Sequence, residues 1–486
     1  MPHRALPDWA PTAAVVGGTA ALILTLKYLD TKKPAKGGEA KKAVKAASGK
    51  HESHEAGISV KESQEHQVEK YIKDVGAKWE AKVKAEDINK VGDLSKYLAF
   101  QGEYKTSFAA RPDVGEGVLV KFDIAGTSIE HLCNGAHGTA LSVYSTNGVD
   151  KVQEFLKAMK LDPHAVVPID EIAPPEDGMT VLTTLEKLFT QYLDLFGKPT
   201  REFLKKLFPY AVDIQEKVAI AELTLERKME EFQDRQARAL TYADYFLEFA
   251  SLKIPVDKYV ELVPTIKQRV YSICSSSDYR PGKCQLLVVR EDWQAKGGDT
   301  KFGLCSSFLT FVRSGQWCVA HSTHSVMHMP EDKSVPVFMA GLGTGLAPFR
   351  AFVEQRRHEK SKGINVGPMT LFFGGRYSKA EYYYRDEFEL FEKEGLVKCC
   401  NAWSRDTSKK VYVQHKIMEE ADAIWRDLGM EGSKGAFFLC GSKQPEKDVF
   451  AAILTIFQSK GGMTEAQSKA KMDQLQSVGR YVTEVY

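Results

Sequence analysis

A glycine-rich turn stands between an apolar run and a segment with helical character. The run VPVFMA (335–340) is typical of a buried strand in a parallel sheet, and GLGTG (341–345) follows it. Residues 346–352 (LAPFRAF) predict a helix, because proline fits a first helical turn where its missing N–H is not needed. Glycines allow close approach of a bulky anion, and helix-start amides attract negative charge. The turn therefore predicts an anion site, and the alternative is a strand-to-helix connection without a ligand.

A cluster of polar and basic residues follows a later apolar run. Residues 404–414 read SRDTSKKVYVQ and supply two cations, Arg405 and Lys410, with hydroxyls from Ser404 and Tyr412. In a dinucleotide-binding fold such a loop meets the adenosine ribose, where arginine with other donors favours NADP over NAD. The cluster predicts a phosphate-binding loop, and the alternative is a solvated basic loop.

Two earlier segments offer further groups for an anionic ligand with a flat ring. Arg269 and Tyr271 lie two residues apart in RVYS, so on a strand their side chains point to the same side and Ser272 to the other. Arginine suits a pyrophosphate, and tyrosine offers a flat apolar face. Residues 303–309 (GLCSSFL) bring small polar residues to a helix start, which is a second candidate anion site. The alternatives are an ordinary amphipathic strand and a serine-capped helix.

The elements that must position these groups follow two patterns. After Val335, apolar runs alternate with helical segments, which predicts a parallel sheet with helices on both faces. From about Leu94 to residue 330, short strand-like segments with turn residues predominate. Long amphipathic helices, predicted at 181–196 and 214–252, interrupt them as a helical insertion over about 180–252.

The amino-terminal part has a different composition. Residues 9–26 are uncharged and just long enough to cross a bilayer as a helix. The basic residues that follow place the rest of the chain on the cytosolic or matrix side. We therefore predict a membrane anchor over 1–30, with a linker and an amphipathic helix over 31–93. The alternatives are a cleaved targeting segment and a helix docked on a partner.

Composition excludes several other classes of protein. The chain has 486 residues, enough for two or three domains, and a net charge of +2, which gives no electrostatic basis for binding nucleic acid. Its eight cysteines include no CxxC pair and no zinc-like spacing with histidine, so we predict free thiols and no metal site.

The order of the segments is more specific than any one of them. RxYS, GxCSxxL, GxGTGxAPFR, SRxxxxKVYVQ, Cys440-Gly441 and an aromatic final residue occur in this order. As a set, residues 94–486 resemble the ferredoxin–NADP reductase superfamily, and more closely the FAD/NADPH half of the diflavin reductases. The segments GGR (374–376) and YRDE (384–387) fit the same resemblance.

This resemblance implies a fold and a set of site residues. It implies an antiparallel β-barrel FAD domain at 94–330 with a helical connecting insertion, followed by an α/β parallel-sheet NADPH domain at 331–486. The implied FAD contacts are Arg269, Tyr271, Ser272, Gly303, Cys305, Ser306 and a stacking Tyr486. The implied NADPH contacts are Gly343, Thr344, Gly345, Arg376, Ser404, Arg405, Lys410, Tyr412 and Gln414. The implied catalytic group is Ser272 near the flavin, Cys440 and Glu484 beside the nicotinamide, and Tyr486, which the nicotinamide displaces.

Some positions depart from the family pattern. Ser442 stands where the family has an acid, Leu342 where proline is usual, and Glu484 where diflavin enzymes have aspartate. No flavodoxin-like segment precedes residue 94, so we expect FAD without FMN and a separate electron acceptor.

Two functions follow from these implications. The first is a membrane-anchored enzyme that takes hydride from NADPH and passes electrons to a flavodoxin-like protein, a ferredoxin or a haem protein. Its reductase domain would face the cytosol at the endoplasmic reticulum, or alternatively the matrix at the mitochondrial inner membrane. The second is an accessory or structural subunit of a membrane complex that retains FAD and NADP(H). The 404–414 cluster and the terminal aromatic residue favour the enzyme, because a structural subunit needs neither.

Overall fold

The computed structural model describes residues 117–173, 181–312 and 318–486, apart from 126, 128 and 131. The predicted anchor at 1–30, the predicted linker and helix at 31–93, and the first residues of the predicted FAD domain lie outside this range. None of the helices in the described range is long and apolar enough to span a bilayer.

Antiparallel strands make up the first part of the described chain. They are β1 (Gly117–Asp123), β2 (His137–Tyr144), β3 (Val166–Pro168), β4 (Leu182–Thr184), β5 (Arg269–Ser272), β6 (Lys283–Val289), β7 (Asp292–Gln294), β8 (Thr300–Phe302) and β9 (Val319–His328). β1 pairs with β6, and β2 lies between β5 and β9. A single bridge, Ile273–Leu286, joins this pair to the three-stranded sheet, and both bury one apolar core. In the described range the predicted barrel is thus two sheets around a shared core, because β5 ends at Ser272 and only the residues just after it, Ile273 to Ser275, meet β6.

The helical insertion is built from short helices. They are α1 (Val149–Met159), α2 (Leu185–Lys187), α3 (Arg201–Leu207), α4 (Ile214–Leu223), α5 (Met229–Ala237), α6 (Tyr242–Glu248) and α7 (Tyr259–Leu262); α8 (Leu304–Phe311) packs on the strand core instead. One cluster of buried side chains, from Val152 to Val263, holds α1 to α7 together, so the helical part is larger than the predicted 180–252. Its aromatic rings meet edge to face, as Phe203 and Phe246 do at 5.5 Å.

The two long helices predicted in this insertion are wrong. Residues 181–196 contain β4, α2 and a π-helical turn at Leu188–Tyr192. Residues 214–252 are divided among α4, α5 and α6. The chain breaks before α6 because Ala239 has a positive φ of 56° and Thr241 starts a new helix through a capping box with Asp244.

A five-stranded parallel sheet forms the last part of the chain, as predicted. Its strands are β10 (Val337–Leu342), β11 (Met369–Gly375), β12 (Lys398–Trp403), β13 (Ala436–Gly441) and β14 (Tyr481–Val485), in the spatial order β12-β11-β10-β13-β14. Its helices are α9 (Ala347–Ser361), α10 (Ser378–Glu381), α11 (Arg385–Lys393), α12 (Val413–Glu419), α13 (Ala421–Ile424), α14 (Glu446–Gly461) and α15 (Glu465–Ser477).

The alternation of side chains along β10 explains why helices cover both faces. Val337 and Met339 join a core that includes residues of α9 and α11, whereas Phe338 and Ala340 join one that includes residues of α12, α14 and α15. A strand that is buried on both faces is apolar along its whole length, which is why the run VPVFMA predicted this strand correctly. β14 was not predicted.

A buried arginine joins the parallel-sheet domain to the antiparallel strands. Arg350 of α9 is 1% exposed and donates to the carbonyl oxygen of Cys274 at 2.7 Å and to Gln285 Oε1 at 2.9 Å. It also pairs with Glu354 at 3.0 Å and Glu387 at 2.8 Å. Since Cys274 follows β5 and Gln285 lies in β6, this network fixes the parallel-sheet domain against the antiparallel strands.

Candidate cofactor and active site

The glycine-rich turn lies at the carboxyl end of β10, beside the end of β13. β10 and β13 are adjacent in space, and the strand order reverses between them, which is where open α/β sheets bind ligands. Gly343 has a φ of +57°, and a Cβ built there would meet nothing within 4 Å, so this part of the turn faces open space. A Cβ on Gly345 would lie 2.0 Å from the carbonyl oxygen of Cys440, so only glycine lets the turn pack against β13.

A cavity of about 780 Å³ opens at this edge of the sheet. The predicted site residues that line it are Gly343, Thr344, Arg376, Ser404, Arg405, Lys410, Tyr412, Gln414 and Tyr486. Gly345 lies behind the turn rather than in the wall. The structure therefore gathers into one cavity residues that lie as much as 143 positions apart, from Gly343 to Tyr486.

The cationic end of the cavity follows β12. Arg405 and Lys410 are exposed, and the peptide N–H groups of Ser404 and Arg405 donate to the carbonyl oxygens of Gly375 at 3.0 Å and Arg376 at 2.8 Å. These bonds tie the loop to the end of β11. Two cations with nearby hydroxyls are the donors that a phosphate monoester needs, so the residues present fit the 2′-phosphate of NADP.

A buried carboxylate that the sequence did not reveal orients Arg376. Glu381 is 6% exposed and accepts from Arg376 Nε at 2.8 Å, from the peptide N–H of Arg376, and from that of Tyr377 at 3.4 Å. This contact fixes the guanidinium group at the cavity wall. A glutamate five residues after an arginine has no distinctive spacing, which explains why it was missed.

The predicted catalytic residues converge where the two domains meet. The hydroxyl of Ser272, on β5, lies beside the thiol of Cys440, on β13. Cys440 is the register partner of Glu484 on the neighbouring β14. Ser325 of β9 was missed by the sequence analysis, and its Oγ donates to Glu484 Oε2 at 3.0 Å. Two hydroxyls from the antiparallel domain thus flank two groups from the parallel sheet, and we call these four residues the domain junction.

Tyr486 lies next to the domain junction and covers the cavity. Its peptide N–H donates to the carbonyl oxygen of Gly441 at 3.1 Å, and its hydroxyl bonds with that of Thr344 at 2.5 Å. The residue is nevertheless 66% exposed. A broad exposed ring held at its tip can leave its place at low cost.

Burial controls the charge of the groups in the domain junction. It raises the pKa of the Cys440 thiol, so this side chain is neutral at physiological pH and does not act as a thiolate nucleophile. Burial also raises the pKa of Glu484, and the hydrogen bond from Ser325 opposes that rise.

The remaining predicted residues gather around the start of α8. The hydroxyl of Tyr271 lies beside the Cys305 thiol, and Arg269 on the same strand is exposed. Ser306 Oγ accepts from the peptide N–H of Glu291 at 3.1 Å and donates to the carbonyl oxygen of Gly303 at 3.2 Å.

This second group is separate from the cavity and connects to it through β5. The hydroxyl of Ser306 is used within the protein, so an anion here would meet backbone amides of the first turn of α8 instead. Ser307 Oγ in the same turn is buried and has no hydrogen-bond partner among the described residues. Exposed Arg269, the ring of Tyr271 and these amides fit a pyrophosphate joined to a flat ring system, as in FAD.

Two sequence families match the chain in the order of these domains. Residues 115–308 match the family described as FAD binding domain, and residues 339–450 match the oxidoreductase NAD-binding domain. The sulfite reductase [NADPH] flavoprotein component of Saccharomyces cerevisiae is 31% identical over 82% of this chain and 40% of its own length. The NADPH-dependent diflavin oxidoreductase 1 of Mus musculus is 30% identical over 76% of this chain and 62% of its own. The NADPH–cytochrome P450 reductase of Drosophila melanogaster is 28% identical over 76% of this chain and 55% of its own.

An FAD-binding domain followed by an NAD-binding domain defines a class, the two-domain flavoprotein reductases. This chain has the two domains in that order and is similar, over 76 to 82% of its length, to the sulfite reductase flavoprotein component and the diflavin oxidoreductase named above. The predicted resemblance and the two predicted cofactors, FAD and NADPH, are thereby confirmed. The chain spans 40 to 62% of the length of these three relatives.

Proposed function

We propose that this protein is an NADPH-dependent flavoprotein reductase that passes electrons to a separate protein. The observation that carries the proposal is that one cavity joins the cationic loop, the glycine-rich turn and Tyr486, which lies next to the domain junction. When bound, NADPH supplies a hydride and FAD accepts it and passes electrons on.

The residues of the chain bind and align the two cofactors. Arg405 and Lys410 hold the 2′-phosphate, and the turn at 341–345 offers its amides to the pyrophosphate. With one end of the ligand fixed, the other end reaches Tyr486, whose exposed ring yields its place. Next to it, Cys440 of the domain junction is 1% exposed, so water is kept from its thiol and the thiol stays neutral.

The first prediction concerns flavin content and reduction. The purified protein should contain about one FAD per chain, because one RxYS segment faces one helix start. Anaerobic NADPH should bleach the flavin absorbance, and NADPH should drive reduction of a small dye. Flavin extraction and chromatography measure the first, and absorbance spectroscopy the second. NADH at equal concentration is the control, and a flavin that stays oxidised with NADPH would contradict the proposed activity.

The electron acceptor we propose is a flavodoxin-like protein, a ferredoxin or a haem protein. The names of the relatives refer to sulfite reductase and to cytochrome P450, which supports a protein acceptor without selecting one. An accessory subunit of a membrane complex receives no support from these names, which describe a reductase component, an oxidoreductase and a reductase.

We also propose that residues 1–30 attach the protein to a membrane, with the reductase domains facing the cytosol at the endoplasmic reticulum or, alternatively, the matrix at the mitochondrial inner membrane. The uncharged run 9–26 and the basic residues after it support this attachment.

Deleting residues 1–30 should move the protein from the carbonate-washed membrane pellet to the supernatant and leave its FAD content unchanged. Cell fractionation with flavin fluorescence tests this. A full-length chain already in the supernatant, or a truncated chain without FAD, would argue against the boundary.

A further inference from the structure

The hydroxyl of Ser325 reaches from the FAD domain to the carboxylate of Glu484 in the NADPH domain. We propose that Ser325 is a positioning residue, which orients Glu484 across the domain boundary for the reaction. This inference rests on the proposed reductase function and adds to it a residue that none of the sequence motifs contains.

The hydrogen bonds of Ser325 leave its hydroxyl one main orientation. The peptide N–H of Met327 donates to Ser325 Oγ at 3.0 Å, and Ser325 Oγ donates to Glu484 Oε2 at 3.0 Å. A peptide N–H can only donate, so the serine oxygen accepts there and its proton is directed at the carboxylate. The backbone of β9 thus fixes the donor, and the donor fixes the carboxylate.

Glu484 has no second donor among the described residues. The titratable groups near the carboxylate are Cys440 on β13 and Tyr486, which follows β14, and both can bear only negative charge. On β9 the nearest titratable residue, His324, is adjacent to Ser325 and exposed, and within the described part of the chain it forms no hydrogen bond or ion pair with Glu484. Ser325 is therefore the group that holds this carboxylate in its ionised form.

Removing the Ser325 hydroxyl should change the pH dependence of the reaction in one direction, which follows from its effect on the pKa of Glu484. Burial raises the pKa of Glu484 and the Ser325 hydroxyl opposes that rise. Without the hydroxyl the pKa rises further, so the carboxylate takes up its proton at a higher pH when the solution is acidified. An ionised carboxylate stabilises positive charge that develops beside it, so the acid limb of the rate profile should move in the same direction.

The test compares Ser325→Ala, which removes the donor, with Ser325→Thr, which keeps it. Ser322→Ala is the matched control, because Ser322 lies on the same strand three residues away and is not the hydrogen-bond donor to Glu484. The FAD-loaded protein is titrated by infrared spectroscopy, and the carbonyl band of protonated Glu484 is assigned by difference from Glu484→Gln. On acidification, we expect the band of protonated Glu484 to appear at a higher pH in Ser325→Ala than in the wild type. In Ser325→Thr and Ser322→Ala it should appear at the same pH as in the wild type. At neutral pH, kcat with NADPH should fall about tenfold in Ser325→Ala while KM is unchanged.

Two results would separate this inference from the proposed function. If the infrared transition of Ser325→Ala coincides with that of the wild type, Ser325 does not act on Glu484 and the inference is wrong, whatever the activity. If the wild type fails to reduce its flavin with NADPH, the proposed function is wrong, and the infrared titration still decides whether Ser325 holds the charge of Glu484.

Discussion

Replacing Arg405 by alanine should raise the KM for NADPH by roughly ten- to a hundredfold. Arg405 and Lys410 line the cationic end of the cavity, beside the hydroxyls of Ser404 and Tyr412. A charge-assisted hydrogen bond contributes roughly 1.5–3 kcal/mol, and about 1.4 kcal/mol is tenfold in affinity. The maximal rate should hold, because this contact is remote from the domain junction and is made equally in the ground and transition states.

The effect of the same substitution on the KM for NADH shows whether Arg405 acts on the phosphate. NADH lacks the phosphate, so the variant should bind it about as well as the wild type does. Arg385→Ala is the matched control, because Arg385 is exposed, lies outside the cavity wall and donates to the carbonyl oxygen of Ser378 at 2.7 Å. Steady-state dye reduction with both coenzymes measures the effect. Equal weakening for NADH and NADPH would mean that Arg405 supports the structure of the loop rather than coenzyme choice.

Replacing Arg350 by methionine should lower the free energy of unfolding by about 3–5 kcal/mol. Methionine keeps much of the side-chain length, but Glu354, which is 0% exposed, loses one of its two cationic partners. The carbonyl oxygen of Cys274 and the amide oxygen of Gln285 lose their donor as well. A buried charge that has lost one of its partners and two buried acceptors that have lost this donor are far more costly than the loss of the same contacts in water.

Arg357→Met on the same helix is the control for this variant. Arg357 pairs with Glu394 at 2.6 Å, but their side chains are 30% and 32% exposed, so its loss should cost only about 0–1 kcal/mol. Chemical denaturation, followed by flavin fluorescence and by circular dichroism, compares the two variants. Equal destabilisation by both substitutions would show that the Arg350 network does not determine how firmly the domains are joined.

The strands of the parallel-sheet domain could be predicted from the sequence because they are apolar at almost every position. β10, β11 and β13 are buried on both faces, so they read as continuous apolar runs. The helical insertion was less predictable, because periodicity shows where a helix is favoured but not where it stops. The capping box at Thr241 was present in the sequence and would have divided the second helix. β14 could not be predicted from the sequence, because it forms only by pairing with β13, which lies about forty residues earlier in the chain.

The residues of the candidate site also fall into two groups: those that belong to a local sequence pattern and those that only the fold brings together. The turn at 341–345, the cationic loop and the RVYS strand are local patterns, and residues of the first two line one cavity in the structure. Glu381 and Ser325 are single residues whose importance comes from the atoms they face, Arg376 Nε and Glu484 Oε2. No spacing in the sequence identifies such a residue, because its partner is supplied by another part of the fold.

The domain junction also has a consequence for the kinetics of folding. The bond from Ser325 to Glu484 spans 159 residues, and the bond from Thr344 to Tyr486 spans 142. Contacts of such high sequence separation are slow to form, because the entropy of closing a long loop is lost before the contact can repay it. Both bonds depend on β14, which can pair only after β13 is in place. The coenzyme pocket is therefore completed at a late stage, and recovery of NADPH binding during refolding should follow the slowest phase rather than the return of helical signal.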